Sequence, residues 1–287
     1  KIQFPNIRAT IKNDLKSLKF FVNKLGILPL DFNVDHYLQL CEEQLLTESN
    51  YRLEAQNINK YSELCCSKDY LKVPKVLDNL STDEILTMSF EEGSELSSDI
   101  LLENSEKNKL AEKLIELLLD EIFIFQFVQT DPNLANFLIK PDEEKITLLD
   151  FGSCSKVSDE TRELYAMLLD IGLTLDREKI KTCLLNFGFF PAKIDTDLDN
   201  LINELIDTVI DELKTYENFN FSNSRVFELI KAENLKKIEK AVPQKLLNGD
   251  FVFIQRKILG FLLFFKSLNA SVPILQILKG YNLKVQY

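Results

Sequence analysis

Three side chains of the kind that bind hard metal ions, Asp131, Asn136 and Asp150, fall within one stretch, QTDPNLANFLIKPDEEKITLLDFGSCSK (residues 129–156). They are separated by five and fourteen residues, and the last opens an Asp-Phe-Gly. Between them, apolar FLI, a turn at Pro141-Asp142-Glu143 and apolar ITLL read as a strand, a tight reversal and a second strand. A hairpin of that length lets Asn136 and Asp150 face one another, and Gly152 allows the backbone to turn sharply after Asp150. The preceding segment 107–128 reads as a long helix whose end, EIFIFQFV, is apolar nearly all round, so the loop carrying Asp131 follows a core element.

That order suits phosphoryl transfer, which needs little covalent help. It needs a group that orients the attacking hydroxyl, metals that neutralise phosphate charge, and a cation on the phosphates. A kinase-type catalytic loop supplies an Asp, an Asn five residues on, and an Asp-Phe-Gly after a short hairpin. The competing reading is a solvated loop, with Asp131 capping a turn before Pro132 and Asn136 tolerating an unusual backbone angle. A kinase-type site also needs a strand lysine and a helix glutamate. Lys1 in KIQFP and Glu54 in ESNYRLEAQ are the candidates, although Glu42 and Glu43 are equally placed by composition alone.

Around this stretch the chain predicts an α+β layout with a small mixed lobe, a hinge and a larger helical lobe. KIQFP reads as a short strand, Ile11–Leu25 as a helix with apolar residues at gaps of three and four, and 34–61 as a second helix. Residues 71–90 read as two short strands, the second from Ile85 to Phe90, and polar EEGSEL (91–96) as the linker. The boundaries expected are therefore 1–90, 91–96 and 97–287. Helices are expected near 158–174, 177–187, 197–216, 226–241 and 249–268, with KITLLDF as the strongest strand of the second half.

The 287 residues are 45% hydrophobic and carry a net charge of −11, which argues against nucleic acid and anionic headgroups as general partners. Cys41, Cys65, Cys66, Cys154 and Cys183 form no C-x-x-C pair, and the lone His36 cannot complete a zinc site with adjacent thiols, so free thiols are expected. The longest apolar run, ILGFLLFF (258–265), falls short of the ~20 residues needed to cross a bilayer and reads as a buried helix. The chain opens on Lys and is read as a fragment, with any targeting region outside it.

KIQFP with KNDLKSL, ESNYRLEAQN, VPKV, ILTMSFEEG, FVQTDPNLANF, LLDFG, LDREKI, FNFSN and IQRKILG together resemble the UbiB atypical kinase-like family, and in particular its mitochondrial branch that supports coenzyme Q biosynthesis. The resemblance implies a protein-kinase-like two-lobed fold whose small lobe is incomplete. It implies Lys1 as the strand lysine, Glu54 as its helix partner, Asp131 as the catalytic-loop aspartate, and Asn136 and Asp150 as metal ligands. It also places backbone groups of the hinge at Ser89, Phe90 and Glu91 against adenine. ATP and Mg2+ are the implied cofactors. Coenzyme Q biosynthesis proteins or lipid precursors are the implied partners, with peripheral attachment to the matrix side of the mitochondrial inner membrane. The family's Glu-x-Asp motif corresponds to Glu48-Ser49-Asn50, where Asn50 replaces the acidic residue. The family's Lys-x-Gly-Gln extension and Ala-rich loop precede the strand lysine and lie outside this sequence.

Two other functions share parts of the pattern. A small-molecule phosphotransferase of the aminoglycoside or choline kinase type would carry His-x-Asp, whereas position 129 is Gln. An inactive kinase-fold scaffold would be expected to have lost some of the five catalytic positions, and all are present.

Overall fold

The computed structural model describes residues 1–25, 38–39, 42, 45–47, 49–97, 100–140, 144–187, 189–190, 194–231, 234 and 249–285. His36, Cys41, Glu43, Glu48 and the turn at Pro141–Glu143 lie outside the described residues. In chain order the elements are α1 (Ile7–Leu25), α2 (Tyr51–Leu64), β1 (Leu71–Lys72), β2 (Ser94–Glu95), α3 (Asn104–Phe123), β3 (Phe127–Gln129), β4 (Phe137–Lys140), β5 (Lys145–Leu148) and β6 (Cys154–Lys156). They continue as α4 (Asp159–Leu173), α5 (Arg177–Asn186), α6 (Thr196–Thr215), β7 (Phe219–Asn220), α7 (Val226–Leu229), α8 (Asp250–Leu268), β8 (Ser271–Val272) and α9 (Ile274–Val285). No helix among the described residues is long and apolar enough to cross a membrane.

Backbone contacts group residues 1–96 with 134–154 in one unit, and 97–133 with 155–287 in another. The first unit is built on a four-stranded sheet in the order β1-β5-β4-β2. β4 and β5 form the expected antiparallel hairpin, with Phe137 opposite Leu148 and Ile139 opposite Ile146. β1 joins parallel to β5, and β2, inside the stretch expected to be a plain linker, pairs with β4. Gly93 makes that edge possible, because a Cβ there would lie 2.9 Å from the Cβ of Leu138. The expected strands at KIQFP and 85–90 are reduced to single bridges, Ile2 to Ile85 and Val76 to Met88. Leu86 nevertheless donates its N–H to the Lys1 carbonyl at 2.9 Å, so the first residue is tied to this segment.

α2 starts at Tyr51, since Asn50 has extended backbone and its side chain accepts from Leu53 N. The second helix expected over 34–61 is therefore broken at residue 50 by an N-cap, a role Asn fills as well as Asp. Its buried positions Glu54, Ala55, Ile58 and Tyr61 recur at helical spacing and define the face turned inward.

In the second unit α3 begins with a capping box between Glu103 and Glu106 and buries Leu110, Ala111, Leu114, Leu117 and Ile122. It packs against α8, whose Phe261, Phe264, Phe265 and Leu268 are also buried. The helix expected to continue through residue 128 stops at Phe123. Ile124 and Phe125 both donate to the Asp120 carbonyl, Gln126 takes φ +48°, and the chain leaves as the buried strand β3. The apolar run signals a buried segment of either kind, and the left-handed residue decides where one becomes the other. A second cluster lines α6, with Leu198, Leu201, Ile202, Ile206 and Ile210 against Leu175, Ile180 and Leu184. The helix expected over 226–241 is the single turn α7 in its described part. α9, for which no expectation was formed, follows Pro273, whose carbonyl takes the N–H groups of Gln276 and Ile277.

Candidate active site

Within the first unit, Lys1, Glu54 and Asp150 meet. The Lys1 ammonium donates to Glu54 Oε1 at 2.5 Å and to Asp150 Oδ2 at 2.6 Å. α2 presents Glu54 from its buried face, and Glu54 also accepts from Phe151 N at 3.3 Å. Three and seven residues on, the same face supplies two further contacts to this segment. Asn57 Nδ2 donates to the Phe151 carbonyl at 2.9 Å, and the Tyr61 ring meets the Phe151 ring edge-on with centroids 5.0 Å apart. Phe151 and Tyr61 are both fully buried, so the Asp-Phe-Gly is anchored by its middle residue while Asp150 stays half-buried. Asn57 and Tyr61 were not among the expected site residues. The signal that could have found them is their spacing of three and seven from Glu54.

Asp150 is shaped from its own side as well. Its Oδ1 accepts from Gly152 N at 2.9 Å, which closes the turn without a left-handed φ at Gly152. Leu149 N donates to the Asn136 carbonyl at 2.9 Å, extending the β4–β5 ladder by one rung. Asn136 and Asp150 thus flank the open end of one hairpin.

The charges in this cluster are unequal. Burial works against the Lys1 ammonium, but the Glu54 and Asp150 carboxylates outweigh it and hold Lys1 above its ordinary value. Burial pushes the Glu54 carboxyl up, Asp150 adds to that, and Lys1 with Phe151 N only partly reverses it. A carboxyl that holds its proton more tightly when folded contributes stability below its unfolded value of 4.5, which is lost as pH rises through the higher folded value. Glu54→Gln removes that titration. The denaturation midpoint of the wild type is therefore expected to fall relative to the variant's as pH climbs from 4.5 toward neutrality; parallel profiles would contradict the shift.

Ser89, Phe90 and Glu91 lie beside the sheet. Ser89 N donates to the Lys75 carbonyl, and Lys75 N to Ser89 Oγ, both at 2.8 Å. Ser89 Oγ donates to Glu91 Oε1 at 2.6 Å, and Lys72 Nζ reaches Glu91 Oε2 at 2.5 Å. Although partial burial works against the charged form, these donors hold the Glu91 carboxyl below its usual range. Phe90 projects with 90% of its surface exposed.

Asp131 belongs to the second unit, just past β3, and is half-buried. Its Oδ1 accepts from Asn133 N at 3.2 Å, an Asx turn that fixes the carboxylate relative to its own loop. Cys65, Cys66, Cys154 and Cys183 are free thiols, and burial pushes Cys65 up to about 11, so it stays protonated at neutral pH. Among the described residues no three His, Cys, Asp or Glu side chains gather as a metal cage.

Comparison with known proteins gives concordant matches. The ABC1 atypical kinase-like domain matches residues 1–184. The chain is 26% identical over 282 residues to the Caenorhabditis elegans protein named atypical kinase coq-8, mitochondrial, covering 95% of this chain and 36% of that one. It is 27% identical over 285 residues to atypical kinase COQ8, mitochondrial, of Saccharomyces cerevisiae, covering 97% of this chain and 56% of that one. Against atypical kinase COQ8B, mitochondrial, of Rattus norvegicus it is 31% identical over 180 residues, covering 63% of this chain and 34% of that one. The chain thus spans between 34% and 56% of the length of these relatives. Among solved structures, the Rv3197–erythromycin complex from Mycobacterium tuberculosis matches with a TM-score of 0.75 at 18% identity, over 96% of this chain and 69% of that one. The fold is protein-kinase-like, mixed α and β.

Proposed function

Since the chain belongs to the ABC1 atypical kinase-like (UbiB) family, we propose that it binds ATP with magnesium and acts as an atypical kinase or ATPase in support of coenzyme Q biosynthesis. The observation that carries this reading is the bridge from Lys1 to Glu54 and Asp150, at 2.5 and 2.6 Å. In it a buried helix carboxylate holds a lysine beside the Asp-Phe-Gly aspartate, as a phosphate-binding lysine requires. Mitochondrial placement, supported by the word mitochondrial in the names of the relatives, and partners in that biosynthesis belong to the same proposal.

The donor set fits magnesium. Asp150 offers a carboxylate and Asn136 an amide oxygen, both hard ligands, and magnesium is commonly held by one or two carboxylates together with substrate phosphates. Two carboxylates share one ammonium here, so the cluster keeps a surplus of negative charge that a small dication balances. Bound Mg-ATP supplies the transferable phosphoryl group together with its counter-charge. Toward it Lys1 would donate to phosphate oxygens, Glu54 would keep Lys1 oriented, and Asp131 would accept the proton of the attacking hydroxyl or water. The Ser89 N–H already serves the Lys75 carbonyl, so on this reading the Ser89 carbonyl and the main-chain groups of Phe90 and Glu91 would be those toward adenine.

The test is ATP hydrolysis and thermal stabilisation by Mg-ATP, measured on the full-length protein beside Asp131→Asn. The expected outcome is a loss of turnover by a factor of about 10² or more, as for removal of a general base, with the stabilisation by Mg-ATP retained. A wild-type protein that Mg-ATP leaves unshifted would refute the nucleotide reading. Binding without turnover would leave a scaffold, and wild-type turnover in the variant would remove Asp131 from the chemistry.

A further inference from the structure

α8 carries Arg256, Lys257 and Gly260; the first two hold main-chain carbonyls just before Asp131 and the third lies against the Pro132 ring just after it. Arg256 Nη2 donates to the Thr130 carbonyl at 3.2 Å. Lys257 Nζ donates to the Gln129 carbonyl at 2.8 Å and to Glu121 Oε2 at 2.6 Å, and it lies 3.5 Å from Gln129 Oε1. Glu121 Oε1 in turn accepts from Gln129 N at 3.1 Å, so both polar groups of the Gln129 backbone are held by one ion pair. Gly260 faces Pro132 so closely that a Cβ would come within 2.9 Å of the proline Cβ.

Lys257 and Glu121 have no exposed surface, and Gln129 and Thr130 are 1% and 2% exposed. Burying a charge pair is a poor way to hold two helices together, because apolar side chains of similar volume do it as well or better. What the ammonium adds is direction, since its three N–H groups can reach two acceptors on the strand and one on α3 at once. Residues 129, 130 and 132 are therefore pinned from a single helix, and 131 is the residue between them.

We propose that Arg256, Lys257 and Gly260 are positioning residues that fix the main chain of 129–132 and so aim the Asp131 carboxylate. The inference rests on the reading of Asp131 given above and deepens it. Lys257 fixes the end of β3, Arg256 the next carbonyl, and the missing side chain at Gly260 lets Pro132 seat against α8. Displacement by ~1 Å at a reacting group is enough to lower turnover about 10²-fold.

The experiment compares Gly260→Ala, Arg256→Gln, Asp131→Asn and the two double variants in the full-length protein. Each is scored by kcat and KM for ATP and by hydrogen exchange of the segment 127–136. The expected result for Gly260→Ala is a kcat lowered by about 10- to 100-fold with KM changed less than about threefold, and faster exchange confined to 127–136. In the Asp131→Asn background the same substitution should lower kcat no further, because a residue acting through Asp131 has nothing left to act on. Arg256 is surface-exposed, so its variant is expected to fold and to show a smaller effect of the same pattern. Equal losses in both backgrounds, or a lower melting temperature at unchanged kcat and exchange, would overturn the proposal. Absence of turnover in the wild type would instead defeat the reading of Asp131, and exchange in 127–136 would then decide the positioning on its own.

Discussion

An Asp150→Asn variant of the full-length protein is expected to lose its magnesium-dependent stabilisation by ATP while melting, without ligand, close to the wild type. A ligand at 100 times its dissociation constant stabilises the folded chain by ~2.7 kcal/mol, which shifts the melting temperature by several degrees in a protein of this size. The substitution keeps the shape of the side chain and removes its charge, so the site loses its best oxygen ligand. The Lys1–Asp150 contact lies in a half-exposed setting, with 26% and 36% of the two side chains accessible. Pairs of that kind contribute no more than ~1 kcal/mol, so the unliganded protein should barely notice. Lys1 keeps its buried partner Glu54, and the Asp-Phe-Gly keeps the anchoring of Phe151 by Asn57 and Tyr61. A variant that retained the full magnesium-dependent shift would take Asp150 out of the metal site. One that melted far below the wild type would make Asp150 a structural residue first.

The separation of anchoring from chemistry in that segment is itself informative. Phe151 is buried and held through its backbone N–H, its carbonyl and its ring, whereas Asp150 is left with a carboxylate facing one ammonium and its own turn. A purely structural ion pair would need only one carboxylate opposite Lys1. The second carboxylate raises the local negative charge and helps push Glu54 above its ordinary value. A cation-binding site gives that surplus a use, which is why the ligand experiment, rather than a stability measurement alone, discriminates the readings.

How much of this could be read from the residues depended on how local the determinants were. The hairpin 137–148 was legible because two short apolar runs, FLI and ITLL, with β-branched Ile139, Ile146 and Thr147, flank the turn-forming Pro141-Asp142-Glu143. The helices α3 to α6 and α8 lie close to where they were expected, and Ser158, Asp176 and Asp195 cap the starts of three of them in the structure. The end of α3 was not legible, because FIFQFV is equally apolar as helix or strand and only the left-handed Gln126 separates them. The break before α2 was obscured by an unbroken helical pattern that the Asn50 cap interrupts. Strands of one bridge each, at Ile2 and Met88, leave too little periodicity to be told from loops. At the site, Lys1 and Glu54 were candidates among several and only the resemblance singled them out, since neither spacing nor composition distinguishes Glu54 from Glu42 and Glu43 in the stretch expected as one helix. The meeting of Lys1 with Glu54 is a contact across 53 residues of chain. The Lys257–Glu121 pair spans 136 residues and was wholly invisible, because a lysine within an apolar run reads as a flank of a buried helix rather than as its most buried member.

That pair supplies the largest expected effect on stability. Lys257→Met removes one member of an ion pair with no exposed surface, taking the counter-charge from the Glu121 carboxylate and the ammonium donor from the Gln129 carbonyl. Breaking a buried pair from one side costs about 3–5 kcal/mol, against a total stability of roughly 5–15 kcal/mol for a folded domain. Adding Glu121→Gln should recover part of that loss. The amide has no charge to bury and its oxygen can still accept from Gln129 N, so what remains is a shortfall of neutral groups, the Gln129 carbonyl and the new amide N–H donors, at about 1–3 kcal/mol each where unpaired. The double variant is therefore expected to be more stable than Lys257→Met alone although Glu121→Gln by itself destabilises, a combination that independent contributions cannot produce. Urea denaturation of the wild type, the two single variants and the double variant measures it, read as midpoints at an unchanged slope. If Lys257→Met costs under ~1 kcal/mol, or if the second substitution only adds to the first, then the ammonium is not held as the geometry indicates. The positioning of the 129–132 main chain would then have to come from Arg256 and Gly260 without it.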